Sequence, residues 1–142
     1  MPDSVLVAFD GSPPSERALT YAVENFLNAT IVATYVINPI DSIADVESGG
    51  LPVAEGWYDD AQERATAIQT TARTLAADHD IELETVTGVG KPAREIVRYA
   101  EEHDIDQIVM GSHGRSGVGR AILGSVAEAV TRRARIPVTI VR

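Results

Sequence analysis

Short apolar runs alternate with helix-like patterns along this chain, and this alternation is the feature that most limits the folds open to it. The run Val5-Leu6-Val7-Ala8-Phe9 is continuous and apolar, which is typical of a strand covered on both faces. Four stretches between such runs carry apolar residues at helical spacing. The order βαβαβαβαβ predicts a parallel sheet with helices on both faces. The five strands are predicted at residues 5–9, 30–37, 82–87, 105–110 and 137–141.

The first predicted helix has a clear start and a clear apolar face. Ser12 is placed to cap it and Pro13 to occupy its first turn. Apolar residues then recur at i, i+3, i+4 and i+7, at Leu19, Ala22, Val23 and Phe26. We expect this face to pack on the sheet.

The carboxyl ends of the strands are where an open parallel sheet binds ligands. Asp10, Val36 and Gly111 fall at such ends in the predicted arrangement. After the second strand, residues 38–56 show no periodic pattern and contain Gly49-Gly50 and two prolines. Loops of this length are uncommon in compact domains and are usually functional or mobile.

A glycine-rich segment at residues 111–125 joins the fourth strand to the last helix. It reads Gly-Ser-His-Gly-Arg-Ser-Gly-Val-Gly-Arg-Ala-Ile-Leu-Gly-Ser. A loop of this kind brings backbone N–H groups close to a ligand and aims the positive end of a helix at it, which favours phosphate binding. The alternative is a long turn that binds nothing.

The end of this segment predicts where the last helix begins. Ser125-Val-Ala-Glu128 has the form of a capping box, with Ser125 as the N-cap and Glu128 reaching back to it. Gly124 would then lie just outside the helix, where it costs little.

Length and composition indicate one soluble domain spanning residues 1–142. No apolar stretch is long enough to cross a membrane, and the N-terminus lacks the pattern of a signal peptide. The chain has no cysteine, which excludes disulfides, thiolate metal sites and cysteine nucleophiles. We therefore expect a cytoplasmic protein.

The charge balance is strongly acidic, with 21 Asp and Glu against 12 Lys and Arg and a formal net charge of −9. This balance argues against nucleic acid or an anionic membrane as a partner, because the electrostatic interaction would be repulsive. Lys91 is the only lysine. An acidic surface with almost no lysine is more typical of a protein adapted to high salt, as halophilic proteins are, than of an ordinary acidic protein.

Two other motifs fail on inspection. Gly88-Val-Gly90-Lys-Pro-Ala93 matches a dinucleotide-binding pattern, but it follows the third strand and no acidic residue ends the next one. A Walker A loop ending at Lys91 is excluded because Thr85 stands where glycine is required and Pro92 replaces the Ser or Thr.

The spacing Gly111-x2-Gly114-x9-Gly124-Ser125 resembles the nucleotide-binding pattern of the universal stress protein family. The resemblance extends over the whole chain, from Val7-Ala-Phe-Asp-Gly-Ser12 to the closing Pro137-Val-Thr-Ile-Val141. It implies an open five-stranded parallel sheet of order 3-2-1-4-5, of the adenine nucleotide alpha-hydrolase-like, Rossmann type. It also implies a homodimer, which we expect to form through the last strand, whose apolar edge is uncovered.

The resemblance further implies an ATP site, since the glycine pattern is complete. Backbone groups of two segments would cradle the ribose and phosphates: Gly111, Ser112, His113, Gly114, Arg115, Ser116 and Gly117 in the first, and Gly124, Ser125, Val126 and Ala127 at the helix start. Asp10 would lie beside the ribose and phosphates, where it is the candidate ligand for Mg²⁺; its alternative role is to cap the turn that follows it. Main-chain atoms of Ala8 and Val36 would face the adenine.

Direct phosphate contacts and catalysis need separate candidates. Arg115 and, with less support, Arg120 are candidates for direct phosphate contacts, and the alternative for each is a solvated arginine. His113 has no acidic neighbour spaced for a triad or a metal, so we assign it no catalytic role.

Three functional classes remain open. The first is an ATP-binding regulatory module in stress response. The second is a slow ATPase or a nucleotidyl-transfer enzyme, although no HIGH or SGGxDS motif is present and a water-activating residue is missing. The third is a dimeric interaction protein that binds no nucleotide, against which the intact glycines argue.

Overall fold

The computed structural model describes residues 2–39, 56–112 and 123–142. The strands within these residues are β1 (Ser4–Ala8), β2 (Thr30–Ile37), β3 (Glu84–Val89), β4 (Gln107–Gly111) and β5 (Val138–Val141). The helices are α1 (Pro13–Asn25), α2 (Trp57–Ala77), α3 (Pro92–Glu102) and α4 (Ser125–Arg133). In none of these helices is a stretch long and apolar enough to cross a membrane.

The strands form one parallel sheet of order β3-β2-β1-β4-β5, which confirms the predicted topology. Alternate residues of β1 pack into two hydrophobic cores, one on each face of the sheet, because neighbouring side chains of a strand point to opposite faces. Val5 and Val7 pack with α1 and α2, while Leu6 packs with α3 and α4. Helices therefore cover both faces, as the alternation of apolar runs predicts.

Helix α1 begins as the sequence predicts. Ser12 is its N-cap and accepts a hydrogen bond from the backbone N–H of Ser15, and Pro13 occupies the first turn. Leu19, Ala22 and Val23 are buried against the sheet, and Phe26, just beyond the helix end, is partly buried.

Strand ends differ from the prediction by one or two residues, and pairing explains the differences. β3 runs two residues further than predicted because it remains in register with β2 as far as the pair Ile37–Val89. β4 ends at Gly111, which pairs with Val141.

The predicted capping box at Ser125 is wrong. Gly124 is the N-cap of α4, no side chain caps the helix, and Ser125 is its first residue. The backbone N–H of Glu128 donates to Gly124 O at 2.9 Å, which is the first bond of the helix. The Glu128 carboxylate lies 2.6 Å from Arg132 one turn later instead of reaching back. Gly124 lies outside the helix, as expected.

Candidate functional site

The carboxyl edge of the sheet gathers the predicted ligand-facing residues. Ala8 and Asp10 lie at the end of β1, Val36 lies near the end of β2, and Gly111 ends β4. Because β1 lies between β2 and β4, these positions are neighbours along one edge. Such an edge is where parallel sheets bind their ligands.

Gly111 is required by packing, whatever the site binds. A Cβ placed on it would lie 2.7 Å from the carbonyl carbon, the carbonyl oxygen and the Cβ of Pro14. Gly111 therefore lets the first turn of α1 approach the end of β4. The sequence interpretation assigned this glycine to a ligand, whereas its first role is to bring α1 and β4 together.

A tertiary hydrogen bond joins the two ends of the glycine-rich segment. Gly124 N donates to Ser112 O at 2.6 Å, and Ser112 N donates to Val141 O at 3.1 Å. The start of α4 is thereby held beside the end of β4. Residues 113–122 lie outside the described residues, so the roles predicted for His113, Gly114, Arg115, Ser116, Gly117 and Arg120 stay predictions.

The N-terminus of α4 presents backbone N–H groups at this edge. The N–H groups of Ser125, Val126 and Ala127 have no acceptor among the described residues, because the helical bonds begin with Glu128. Gly124 carries no side chain that could cap them. A helix start of this kind has a partial positive charge and suits an anion.

Asp10 holds the turn that leads into α1. Its Oδ1 accepts hydrogen bonds from the backbone N–H of Ser12 at 2.9 Å and from Ser12 Oγ at 2.5 Å. Gly11 adopts a positive φ of 81° in this turn. The predicted capping role of Asp10 is therefore present, and it fixes the carboxylate at the carboxyl edge.

The backbone N–H and C=O of Val36 point to the β1 side of β2, beyond the residue at which β1 ends. Thr34 O accepts from Phe9 N on the β1 side, while Ile37 O accepts from Gly90 N on the β3 side. Since backbone groups alternate along a strand, Val36 points its N–H and C=O to the β1 side. The β1 ladder ends at the pair Ala8–Thr34, and no described residue of β1 bonds to Val36. This is the position in which the sequence interpretation placed a base.

A cavity that sequence reasoning missed lies next to Val36. It has a volume of about 170 Å³ and lies between α3 and strands β2 and β3. Its lining residues are Thr34, Val36, Val86, Thr87, Gly88, Glu95, Arg98, Tyr99 and Glu102. The sequence held one signal, the threonine at position 34 between apolar residues of the second strand.

Acidic and histidine side chains do not form a ready-made metal site in the described part of the chain. No three of them are grouped closely enough to bind a metal ion by themselves. The predicted role of Asp10 toward Mg²⁺ is a different case, because Mg²⁺ commonly uses one or two carboxylates together with substrate phosphates.

Comparison with known proteins adds independent findings. The model of the universal stress protein family matches residues 1–142. Universal stress protein YxiE of Bacillus subtilis is 32% identical over 146 residues, covering 99% of each chain. The solved structure of MJ0577, a universal stress protein of Methanocaldococcus jannaschii, has a TM-score of 0.81 at 28% identity, covering 98% of this chain and 94% of that one. A universal stress protein solved in complex with cAMP has a TM-score of 0.73 at 28% identity, covering 99% and 97% respectively.

Proposed function

We propose that this chain, which belongs to the universal stress protein family, binds ATP at the carboxyl edge of its sheet as a cytoplasmic regulatory module in stress response. The observation that carries the proposal is the start of α4. Three backbone N–H groups with no acceptor among residues 2–39, 56–112 and 123–142 lie there, held beside the end of β4 by the Gly124–Ser112 hydrogen bond. Phosphate is the natural ligand of such a group of donors.

The order of features along the edge supports a nucleotide over a simple anion. If the phosphates lie at the start of α4 and the end of β4, the sugar lies on the neighbouring strand, beside Asp10 at the end of β1. The base then lies at the end of β2, where the backbone N–H and C=O of Val36 face past β1. The relative solved with cAMP is consistent with an adenine ligand in this fold.

Magnesium fits the proposal through Asp10 and the phosphates of ATP. One carboxylate at the edge, together with phosphate oxygens, is a donor set that Mg²⁺ accepts. When bound, the ion would neutralise phosphate charge. This would matter for a chain whose net charge is −9.

Ser125 offers a sharp test, because it is exposed at the first position of α4. Ser125→Asp adds a negative charge where the helix favours it but a phosphate does not. We expect roughly tenfold or greater loss of ATP affinity from like-charge repulsion, with an unchanged or slightly higher melting temperature. Ser125→Asn has a similar shape without the charge and serves as the matched control.

Calorimetric titration with ATP would measure both variants. Equal affinity of Ser125→Asp and Ser125→Asn would contradict phosphate binding at α4. The purified wild-type protein should also be denatured and its supernatant assayed for released nucleotide. Wild-type protein that releases no nucleotide and binds no added ATP would favour the interaction protein that binds none.

We also propose that the protein is a homodimer through β5. This strand pairs only with β4 among the described strands, so its other edge is open. Pro137 and Val141 direct their carbonyl groups to β4, and by alternation Val138 and Ile140 direct their backbone groups to the open side. Two such edges can pair antiparallel about a two-fold axis.

A further inference from the structure

Two buried serines surround Asp10 at the carboxyl edge of the sheet. In the part of the chain that the structure describes, four polar residues are buried, and Ser12 and Ser15 are two of them, at 5% and 4% exposure. Burying a hydroxyl costs free energy unless the hydroxyl is hydrogen-bonded. Both hydroxyls are hydrogen-bonded, and both bond to Asp10.

Each serine holds a different part of Asp10. Ser12 Oγ donates to Asp10 Oδ1 at 2.5 Å, and the Ser12 N–H donates to the same oxygen at 2.9 Å. Ser15 Oγ accepts from the Asp10 N–H at 3.4 Å and donates to Ser12 O at 2.8 Å. The backbone and the carboxylate of Asp10 are therefore both tied to the start of α1.

The Ser12 hydroxyl lies closer to Asp10 than to the helix that it caps. Its capping bond from the Ser15 N–H is 3.4 Å long, against 2.5 Å for its bond to the carboxylate. An Asp side chain closes a turn of this kind with a single bond from the backbone N–H two residues later. The two serine hydroxyls add bonds that the turn does not need, so they serve the placement of Asp10 itself.

A carboxylate held in one position is useful where it must meet a ligand. In the proposed site, phosphates lie at the start of α4 and the end of β4, and Asp10 lies on the neighbouring strand. Carboxylate and phosphate repel each other, so a fixed carboxylate weakens phosphate binding unless a cation lies between them. Mg²⁺ commonly binds one carboxylate together with phosphate oxygens. Hydrogen bonds that orient a metal ligand in advance strengthen the binding of the metal.

We infer that Ser12 and Ser15 are positioning residues, which orient the Asp10 carboxylate toward the Mg²⁺ of bound ATP. The inference rests on the proposed function and adds two side chains that act on the ligand only through Asp10, because both are buried. It requires that the benefit of Mg²⁺ for ATP binding depends on the two hydroxyls.

The experiment measures ATP affinity by calorimetric titration, once with Mg²⁺ and once with EDTA in its place. The Mg²⁺ gain is the ratio of the ATP dissociation constant in EDTA to that in Mg²⁺. Asp10→Asn gives the gain that remains without the carboxylate. We expect this remaining gain to be clearly smaller than that of wild type, since Mg²⁺ then keeps only its contacts with ATP.

Ser12→Gly tests the bond to the carboxylate. Glycine is a good N-cap residue, so the helix start is retained while the hydroxyl is lost. We expect the Mg²⁺ gain to fall about tenfold, toward that of Asp10→Asn, because removing a hydrogen-bond partner of a metal ligand typically costs about 10–100-fold in metal affinity. Ser12→Thr keeps a hydroxyl and should retain most of the gain.

Ser15→Ala tests the bond to the Asp10 backbone. Alanine suits a helix and removes the acceptor of the Asp10 N–H. We expect the Mg²⁺ gain to fall about threefold, the effect of one neutral hydrogen bond. Ala22→Gly is the matched control, because it destabilises the same helix and lies two turns beyond Ser15. It should lower the melting temperature and leave the Mg²⁺ gain as in wild type.

The outcomes separate this inference from the proposed function. If wild type binds ATP but its Mg²⁺ gain equals that of Asp10→Asn, Asp10 does not meet the metal, and the inference fails while the proposed function stands. If Ser12→Gly and Ser15→Ala lower only the melting temperature, as Ala22→Gly does, the serines are structural and the inference is refuted. A Ser12→Thr variant as impaired as Ser12→Gly would refute the role of the hydroxyl. If wild type binds no ATP in either solution, the proposed function fails, and this inference fails with it.

Discussion

Replacing Gly111 with alanine should destabilise the protein even without a ligand. The added Cβ would lie 2.7 Å from three atoms of Pro14, where ordinary contacts between carbon atoms are longer than 3.4 Å. Two of these atoms belong to the Pro14 backbone, so a side-chain rotation cannot relieve the contact. Either the first turn of α1 or the end of β4 must move.

The cost can be bounded from this geometry. Overpacking in a buried site typically costs about 1–3 kcal/mol, and Gly111 is buried. A loss of 1 kcal/mol lowers the melting temperature of a domain of about this size by roughly 2–4 °C. We therefore expect Gly111→Ala to melt about 2–12 °C below wild type. Pro14→Ala should not restore the loss, because it leaves both backbone contacts in place.

Gly88→Ala is the matched control, since Gly88 also lies in a strand of the same sheet. Its Cβ would find its nearest neighbours at 4.0 Å, so no overpacking is expected. Alanine there should be neutral or stabilising by about 0.4–1 kcal/mol, because it restricts the unfolded chain. Thermal and urea unfolding, followed by circular dichroism on nucleotide-free protein, would compare the two. Equal stability of Gly111→Ala and wild type would refute the packing role of Gly111.

Three further predictions concern assembly, salt and turnover. Ile140→Pro removes an outward N–H of β5 without touching the bonds to β4, so it should give folded monomers in sedimentation; a persistent dimer would place the interface elsewhere. The melting temperature should be higher in 1 M than in 0.1 M potassium chloride, because the Debye length falls from about 10 Å to about 3 Å. Salt adaptation would be contradicted if the increase were no larger than that of a charge-neutral homologue. Single-turnover hydrolysis of ATP with Mg²⁺ should be far slower than the roughly 1–100 s⁻¹ of kinases, because donors that bind ground and transition states equally do not accelerate chemistry. Hydrolysis within seconds that is lost in His113→Ala or Asp10→Asn would establish an ATPase.

Sequence patterns predicted the structure correctly where the interaction involves residues that are close together in the chain. The Ser12 cap and Pro13 in the first turn of α1 involve neighbours in the chain, and the structure contains both. The period of apolar residues likewise predicted two-sided burial of the sheet, because side-chain direction repeats with the period of each element. The strand order came from the resemblance to a family, since spacing alone does not say which parallel strands are neighbours.

The start of α4 shows where local reading failed. The motif Ser125 to Glu128 satisfies the pattern of a capping box, yet the helix begins one residue earlier than the pattern requires, at Ser125 instead of Val126. Gly124 N bonds to Ser112 O across the site, and this contact determines the conformation of the N-cap residue. A contact between residues distant in sequence therefore prevailed over a motif worth about 1 kcal/mol.

The alternation of strands and helices, the first helix cap and the edge of the sheet that holds the predicted ligand-facing residues all followed from the amino-acid sequence alone. Three features became visible only in the folded protein: Gly111 is required by its contact with Pro14, Gly124 and not Ser125 is the N-cap residue of α4, and Thr34 and Gly88 line one cavity. The physical reason is common to all three. Periodicity and propensity act over one or two turns, whereas close approach, register and shared cavities depend on how elements distant in sequence pack against one another.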